Sequence, residues 1–345
     1  MSTDGADDID FDVDRLNAYL DALLGGAERL RVDRTQGGMS NPTYFLERGA
    51  WQAVLRKQPA GKVMPSAHAI DREYRVLSAL QGTDVPVPQP LHYCDDPEVL
   101  GTPFYLMERL EGRVFHAFST PGLARAERAA LFDAMVATMA AIHRLDVTAL
   151  GLADYGRPGN YFARQLKRWS EQWFTQYRKG DDDNPALDRL VAWLAERVPD
   201  SQLLRLCHGD FRIGNVMFHP TEPRVVGVLD WELSTLGHPL VDVAFNSQAW
   251  RMAPDENGGL LGLSVTELGI PEEADYLERY YTLAQSPERM TSFHQAFAMF
   301  RGAVGSAGVA VRGEAGNGFL PDAARVGRKL ARAYAERGLA LAEST

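Results

Sequence analysis

Cysteine, histidine and long apolar runs are scarce in this chain, and each shortage removes a class of protein. Two cysteines in 345 residues, Cys94 and Cys207, cannot make a disulfide framework, so a reducing, cytoplasmic setting is expected. Eight histidines and no GNH-type fragment leave little material for a two-metal phosphoesterase. The most apolar late segment, AFAMFRGAVGSAGVAV, is interrupted by Arg301 and rich in small residues, too short and too broken to span a bilayer. The opening MSTDGADDIDFD has no apolar core for a signal peptide. Positive charge is also short: 36 Lys and Arg face 46 Asp and Glu, and a net charge of −10 argues against a general nucleic-acid binder. Nine of the acids and only three bases lie in residues 1–33, so the body is mildly acidic and the tip reads as a solvated leader.

What is present is ordinary globular material, 45% hydrophobic and 24% charged, enough for one large domain or two modest ones. Apolar spacing predicts a helix over 11–24, stopped by Gly25-Gly26, and strands over 29–35, 42–48 and 51–57. SAHAIDREYRVLSAL follows as a helix capped at Ser66, and TPFYLMERLEG, residues 102–112, as one more buried strand. Long helices are predicted over 125–144, 160–179, 185–198, 272–285, 289–311 and 320–337, interrupted by β-like runs only within 204–232. The expectation is an α+β chain: an acidic leader and helix at 1–27, a strand-rich lobe at 28–109, and a helical lobe at 110–345.

One stretch breaks the apolar logic. In LCHGDFRIGNVMF, residues 206–218, three polar groups sit inside a strand-like run, where burial without partners is costly. Asp210 and Asn215 are five apart, and Asp230 ends the next strand fifteen residues later, so a hairpin returns it to the same edge. Oxygen ligands of this kind suit Mg²⁺. The Asp-x-x-x-x-Asn spacing with a later strand-end Asp is the pattern of kinase-type phosphoryl transfer: a base, a metal-binding Asn and a metal-binding Asp. The plain alternative is a polar turn capping its own backbone. In WQAVLRKQP the strand turns Val54 and Arg56 to one face and Leu55 and Lys57 to the other, so either cation is a candidate phosphate clamp to pair with Glu73. The turn QGGMSN, with Gly38, Ser40 and Asn41, offers backbone donors for phosphates.

In order, GGMSNPTY, VLRK, REYRVLSAL, FYLMERLEG, AAIHRLD, HGDFRIGNVMF and GVLDWELSTLGHPLVDVAF resemble the aminoglycoside phosphotransferase (APH-like) kinase family over residues 28–340. NYFARQLKRW, LDWELSTLGHP and AFAMFRGAVGSAG are closer still to the branch found as the N-terminal kinase domain of acyl-CoA dehydrogenase family members 10 and 11. The resemblance implies a bilobal protein-kinase-like fold that binds ATP, with GTP as an alternative, between its lobes. It implies Asp210 as catalytic base, Asn215 and Asp230 as Mg²⁺ ligands, and Met107, Glu108 and Arg109 as the hinge that meets adenine. Many relatives carry Lys where the VLR alignment places Arg56, and Arg is not its equivalent. His208 and Asp242 read as supports of the loop, His143 as a structural histidine, and Glu232 as a ligand for a second metal or a solvent-facing acid.

The acceptor of the phosphoryl group must come from the helical lobe. NYFARQLKRWSEQWFTQYRKG interleaves Arg164, Lys167, Arg168, Arg178 and Lys179 with Trp169 and five other aromatics, against the single acid Glu171. Arg164, Arg168 and Trp169 are candidates for an anionic acceptor such as a hydroxyacyl-CoA or related hydroxy acid, since a polycationic aminoglycoside should prefer an acid-lined cleft. An amphipathic helix with wet bases explains the same run. Antibiotic phosphorylation and a nucleotide-binding pseudokinase are the competing functions; no nucleic acid or membrane partner is expected.

Overall fold

In the computed structural model, which describes residues 9–26, 28–35, 41–60, 69–180, 183–316 and 322–344, the run TYFLERGAWQAVLRK folds as the hairpin its alternation predicts. Contacts divide the chain into two compact units, residues 1–112 with 226–232, and residues 113–225 with 233–345.

The first unit is built on a five-stranded antiparallel sheet. Its strands are β1 (Arg31–Arg34), β2 (Thr43–Arg48), β3 (Trp51–Lys57), β4 (Pro90–Cys94) and β5 (Phe104–Met107), in the order β1-β2-β3-β5-β4. Helix α1 (Val13–Leu24) buries Leu16 and Leu20 against Leu46, Leu55, Phe104 and Leu106. The helix assigned to a separate leader therefore belongs to this unit, because the apolar face of the sheet needs a cover. Asp10 is structured as well, accepting from Lys57 Nζ at 2.8 Å and from the Tyr44 hydroxyl at 2.6 Å. Helix α2 (Ile70–Leu80) begins at Ile70 after Ala69, and Ser66, its expected cap, lies outside the described residues. A short helix α3 (Pro97–Leu100) is capped by Asp96. The segment 226–232, which the chain order places in the helical lobe, is bound here: the Val228 amide donates to the Pro86 carbonyl at 2.8 Å and the Trp231 indole to Val228 at 3.0 Å.

The second unit is helical: α4 (Arg125–Arg144), α5 (Tyr161–Gln172) continued by a π-turn at Trp173–Tyr177, α6 (Pro185–Ala195), α7 (Leu240–Ser247), α8 (Val265–Leu268), α9 (Glu273–Ala284), α10 (Ser292–Glu314) and α11 (Ala323–Glu343). Short strands punctuate it, with β6 (Arg113–Val114) paired to β8 (Val216–Phe218), and β7 (Arg205–Cys207) paired to β10 (Thr235–Gly237), while β9 (Val225–Val228) runs into the segment 226–232 of the first unit. Strand β10 falls outside the region 204–232 read as β-like, since three residues, Thr-Leu-Gly, carry too little pattern to be seen. Among the described residues no helix is long and apolar enough to cross a membrane.

The start of α10 carries a built-in acid sensitivity. His294 Nδ1 accepts from the Thr291 amide at 3.1 Å, closing a capping box, while its Nε2 is buried without a partner. Burial, then the nearby His238, lowers its pKa to about 3. The unfolded chain takes up this proton near the ordinary value of about 6.5, so stability is lost as pH falls from 6.5 toward 3, with a slope of up to about 1.4 kcal/mol per pH unit. Replacing His294 with Gln keeps the cap acceptor and removes the titration. Urea melts at pH 7 and pH 5 should show a smaller gap for that variant than for the parent, and an unchanged gap would refute this assignment.

Candidate active site

Strand β7 delivers the chain into the His208-Gly209-Asp210 loop, and a short turn at Ile213–Asn215 leads on to β8. The loop is held from behind by one buried carboxylate. Asp242 on α7 accepts the His208 amide at 2.6 Å and the Gly209 amide at 2.9 Å, and meets His143 Nε2 at 3.3 Å. Burial alone would raise the Asp242 pKa; the His143 bond and charge, His208 and the Gly209 amide outweigh it and hold the carboxyl below the usual range. His143 is itself oriented by the Tyr280 hydroxyl at 2.7 Å. The His208 ring accepts the Asp210 amide at 3.2 Å, so its place in the structure is that of a loop support.

Two braces were not read from the sequence. Asn246 donates to the Phe211 carbonyl at 3.2 Å and is fixed by the Tyr276 hydroxyl at 2.8 Å. Arg301 donates to the Gly209 carbonyl at 3.0 Å. The only signal for Arg301 was a charge inside an apolar run. His143, Asp242 and Cys207 stand close enough together to resemble a metal site, yet both Asp242 oxygens already accept amides and burial raises the Cys207 thiol well above its usual pKa.

The result of this bracing is the relation between Asp210 and Asn215. Asn215 Nδ2 donates to Asp210 Oδ2 at 2.7 Å and to the Asp210 carbonyl at 2.9 Å. The carboxylate is thereby held in one orientation while it stays half-buried. Gly209 makes the turn possible. It takes φ 84°, and a Cβ there would stand 2.4 Å from the Leu233 carbonyl oxygen. Changing Gly209 to Ala should cost about 3 kcal/mol of stability, through left-handed strain plus a backbone clash. Thermal denaturation measures this, and a variant as stable as the parent would contradict the reading.

The first unit gathers a second set. Arg56 lies 2.9 Å from Glu73, 2.6 Å from Asp230 and 3.4 Å from Glu232. Burial would lower its pKa, but Glu73, then Asp230, raise it above the ordinary value, so the guanidinium stays charged. Lys57, the rival clamp, points to the other face and is fully buried against Asp10, which excludes it from this cluster. Asn41 donates to Glu232 at 3.4 Å; Gly38 and Ser40 lie outside the described residues. Asp230 takes φ 63°, a conformation that costs a non-glycine residue about 1–3 kcal/mol and clusters at functional positions. At the hinge, Met107 pairs with Val54 in the sheet, the Glu108 amide donates to Gln89 at 2.8 Å, and the Arg109 side chain is committed to Glu47 at 2.6 Å.

The donor chemistry fits a hard divalent cation. In the second unit Asn215 spends its amide nitrogen on Asp210, which leaves Oδ1 as an oxygen of the kind such a cation takes; in the first unit Asp230 and Glu232 carry carboxylate oxygens of the same kind. The basic helix is more ordinary than its sequence suggested. Tyr161, Phe162 and Trp173 are core, Lys167 meets Glu171, Arg178 meets Asp188, and Lys179 meets Glu314. Arg164 caps the Pro158 and Gly159 carbonyls at 2.7 and 2.6 Å, and Arg168 is exposed. Trp169 differs, being half-buried with its ring beside Arg301 at 5.8 Å.

The profile of the phosphotransferase enzyme family (APH) matches residues 32–304. Acyl-CoA dehydrogenase family member 10 of Mus musculus is 40% identical over 94% of the chain, covering 30% of that protein. Acyl-CoA dehydrogenase family member 11 of Homo sapiens is 43% identical over 78% of the chain and 35% of its own length. The chain thus spans about a third of these curated relatives. A crystal structure from Ralstonia eutropha JMP134, provisionally assigned as an aminoglycoside phosphotransferase, is 42% identical with a TM-score of 0.85, covering 97% of this chain and 99% of that one. The ternary complex of aminoglycoside phosphotransferase APH(4)-Ia with ADP and hygromycin B matches in fold, with a TM-score of 0.61 at 19% identity over 93% of this chain and 98% of its own.

Proposed function

This chain belongs to the phosphotransferase enzyme family and has the α+β, protein-kinase-like fold of its aminoglycoside phosphotransferases, and from that premise we propose that it transfers the γ-phosphoryl group of ATP to a hydroxyl of a small acyl acceptor, a hydroxyacyl-CoA or the parent hydroxy acid. The observation that carries the reaction type is the Asp210–Asn215 pair, a carboxylate locked by an amide whose oxygen is left to ligate. Asp210 accepts the proton of the acceptor hydroxyl. The hydroxyl oxygen then forms its bond to the γ-phosphorus as the bond to the β–γ bridging oxygen breaks, and ADP leaves with the electron pair. Asp230 and Asn215 would hold Mg²⁺, which supplies charge neutralisation for the phosphates when bound. Arg56, fixed by Glu73, is the phosphate clamp, and its guanidinium offers a planar fork where a lysine would offer one point. ADP in a structural neighbour supports an adenine nucleotide.

The acyl acceptor is supported by relatives named for acyl-CoA chemistry. Hygromycin B in the APH(4)-Ia complex supports the rival reading, phosphorylation of an aminoglycoside. Mass spectrometry of reactions containing ATP, Mg²⁺ and a panel of hydroxyacyl-CoAs, hydroxy acids and aminoglycosides decides between them. A gain of one phosphate on an acyl acceptor is the expected result. Transfer confined to an aminoglycoside overturns the acceptor, and nucleotide binding with no transfer to any member overturns the activity.

A further inference from the structure

Arg301 carries a charge that its described surroundings do not neutralise. It lies within α10, 9% exposed, and spends Nη2 on the Gly209 carbonyl at 3.0 Å. Nε and Nη1 are buried with no hydrogen-bond partner, and among the described residues no carboxylate is paired with the guanidinium. The Trp169 and Phe245 rings flank it at 5.8 and 5.7 Å. Cation–π contacts of this kind recover only a small part of what burying an unpaired cation costs. Holding one carbonyl does not require a guanidinium, because a neutral amide would donate the same bond without the burial of charge. The remaining N–H groups on two nitrogens call for an anion, and that anion would sit beside the residue that precedes Asp210.

We propose that Arg301 is a specificity-determining residue that pairs with the carboxylate of a hydroxy-acid acceptor. The proposal rests on the phosphotransferase reading and narrows its acceptor. A carboxylate brings the full negative charge that a buried guanidinium lacks, whereas a thioester carbonyl brings only a dipole and an aminoglycoside brings repulsion. Trp169, the one member of the basic helix whose ring lies against Arg301, contributes its face to the same place. Arg164 and Arg168 are not needed for it.

The test compares a hydroxy acid with its methyl amide and its CoA thioester, using the full chain with ATP and Mg²⁺ and the variants Arg301→Gln and Arg301→Lys. The parent should favour the acid over the amide by at least about 30-fold in kcat/KM. Arg301→Gln should lose at least about 30-fold more on the acid than on the amide, the excess falling mainly on KM. Arg301→Lys should keep a preference for the acid, since it keeps the charge, and it serves if the glutamine variant does not fold. Equal losses on acid and amide would reduce Arg301 to a loop brace and overturn the proposal, as would a parent that prefers the thioester. If the parent transfers to none of the three, the activity reading fails by itself, and thermal shift then decides the site. Stabilisation by the acid in the parent but not in Arg301→Gln upholds the anion site, and no stabilisation of the parent overturns it.

Discussion

Replacing Asp210 by alanine is expected to lower kcat for phosphoryl transfer by about 10³-fold or more while ATP affinity stays within about threefold. In the proposed reaction the carboxylate is the proton acceptor, so its loss removes a contribution made in the transition state. The carboxylate accepts from the Asn215 amide at 2.7 Å. Loop position comes from Asp242, Asn246 and Arg301, all of which bond to backbone groups of residues 208, 209 and 211 that the substitution leaves in place. Single-turnover kinetics and nucleotide titration measure the two quantities separately. Comparable losses in both would mean that Asp210 organises the nucleotide site and does not act as the base.

Arg56→Met should have the largest effect in the first unit. Three carboxylates within 4 Å, Glu73, Asp230 and Glu232, would lose their shared cation, with Glu73 only 2% exposed. Leaving such a buried charge unpaired costs about 3–5 kcal/mol. ATP affinity should fall by at least about 30-fold, since the proposed clamp is removed and the remaining acids would repel the phosphates. Arg56→Lys should fall between, because a single ammonium cannot meet three carboxylates at once. Lys57→Met is the control. Its ammonium is buried against Asp10 on the opposite face, so it should lose stability and keep ATP affinity. Chemical denaturation and nucleotide titration of the three variants check the assignment, and a larger affinity loss for Lys57→Met than for Arg56→Met would reverse it.

Much of this was legible in the chain. Strand Trp51–Lys57 and helix Arg125–Arg144 fall where period-two and period-3.6 patterns place them, and Asp210 and Asn215 meet because five residues and one tight turn separate them. The choice between Arg56 and Lys57 was not legible. Alternation says that they face opposite ways and does not say which face carries Glu73. That needed the register of β3 against β5 and the placement of α2.

The acidic leader misled for a related reason. Composition cannot show that Asp10 will neutralise a lysine forty-seven positions away or that Leu16 and Leu20 will roof a sheet. The basic helix differs in the other direction, since two of its five bases, Arg178 and Lys179, meet acids on other segments, Asp188 and Glu314. What the sequence by itself determined is the order of elements, the meeting of Asp210 with Asn215 and the phosphotransferase family, because these depend on short spacings and motifs that local backbone geometry converts directly into proximity. Only the tertiary structure decided which cation pairs with Glu73 and which arginine is left buried beside the catalytic loop without a counter-charge. Burial and charge neutralisation are properties of neighbours brought together by folding, and no window of sequence contains them.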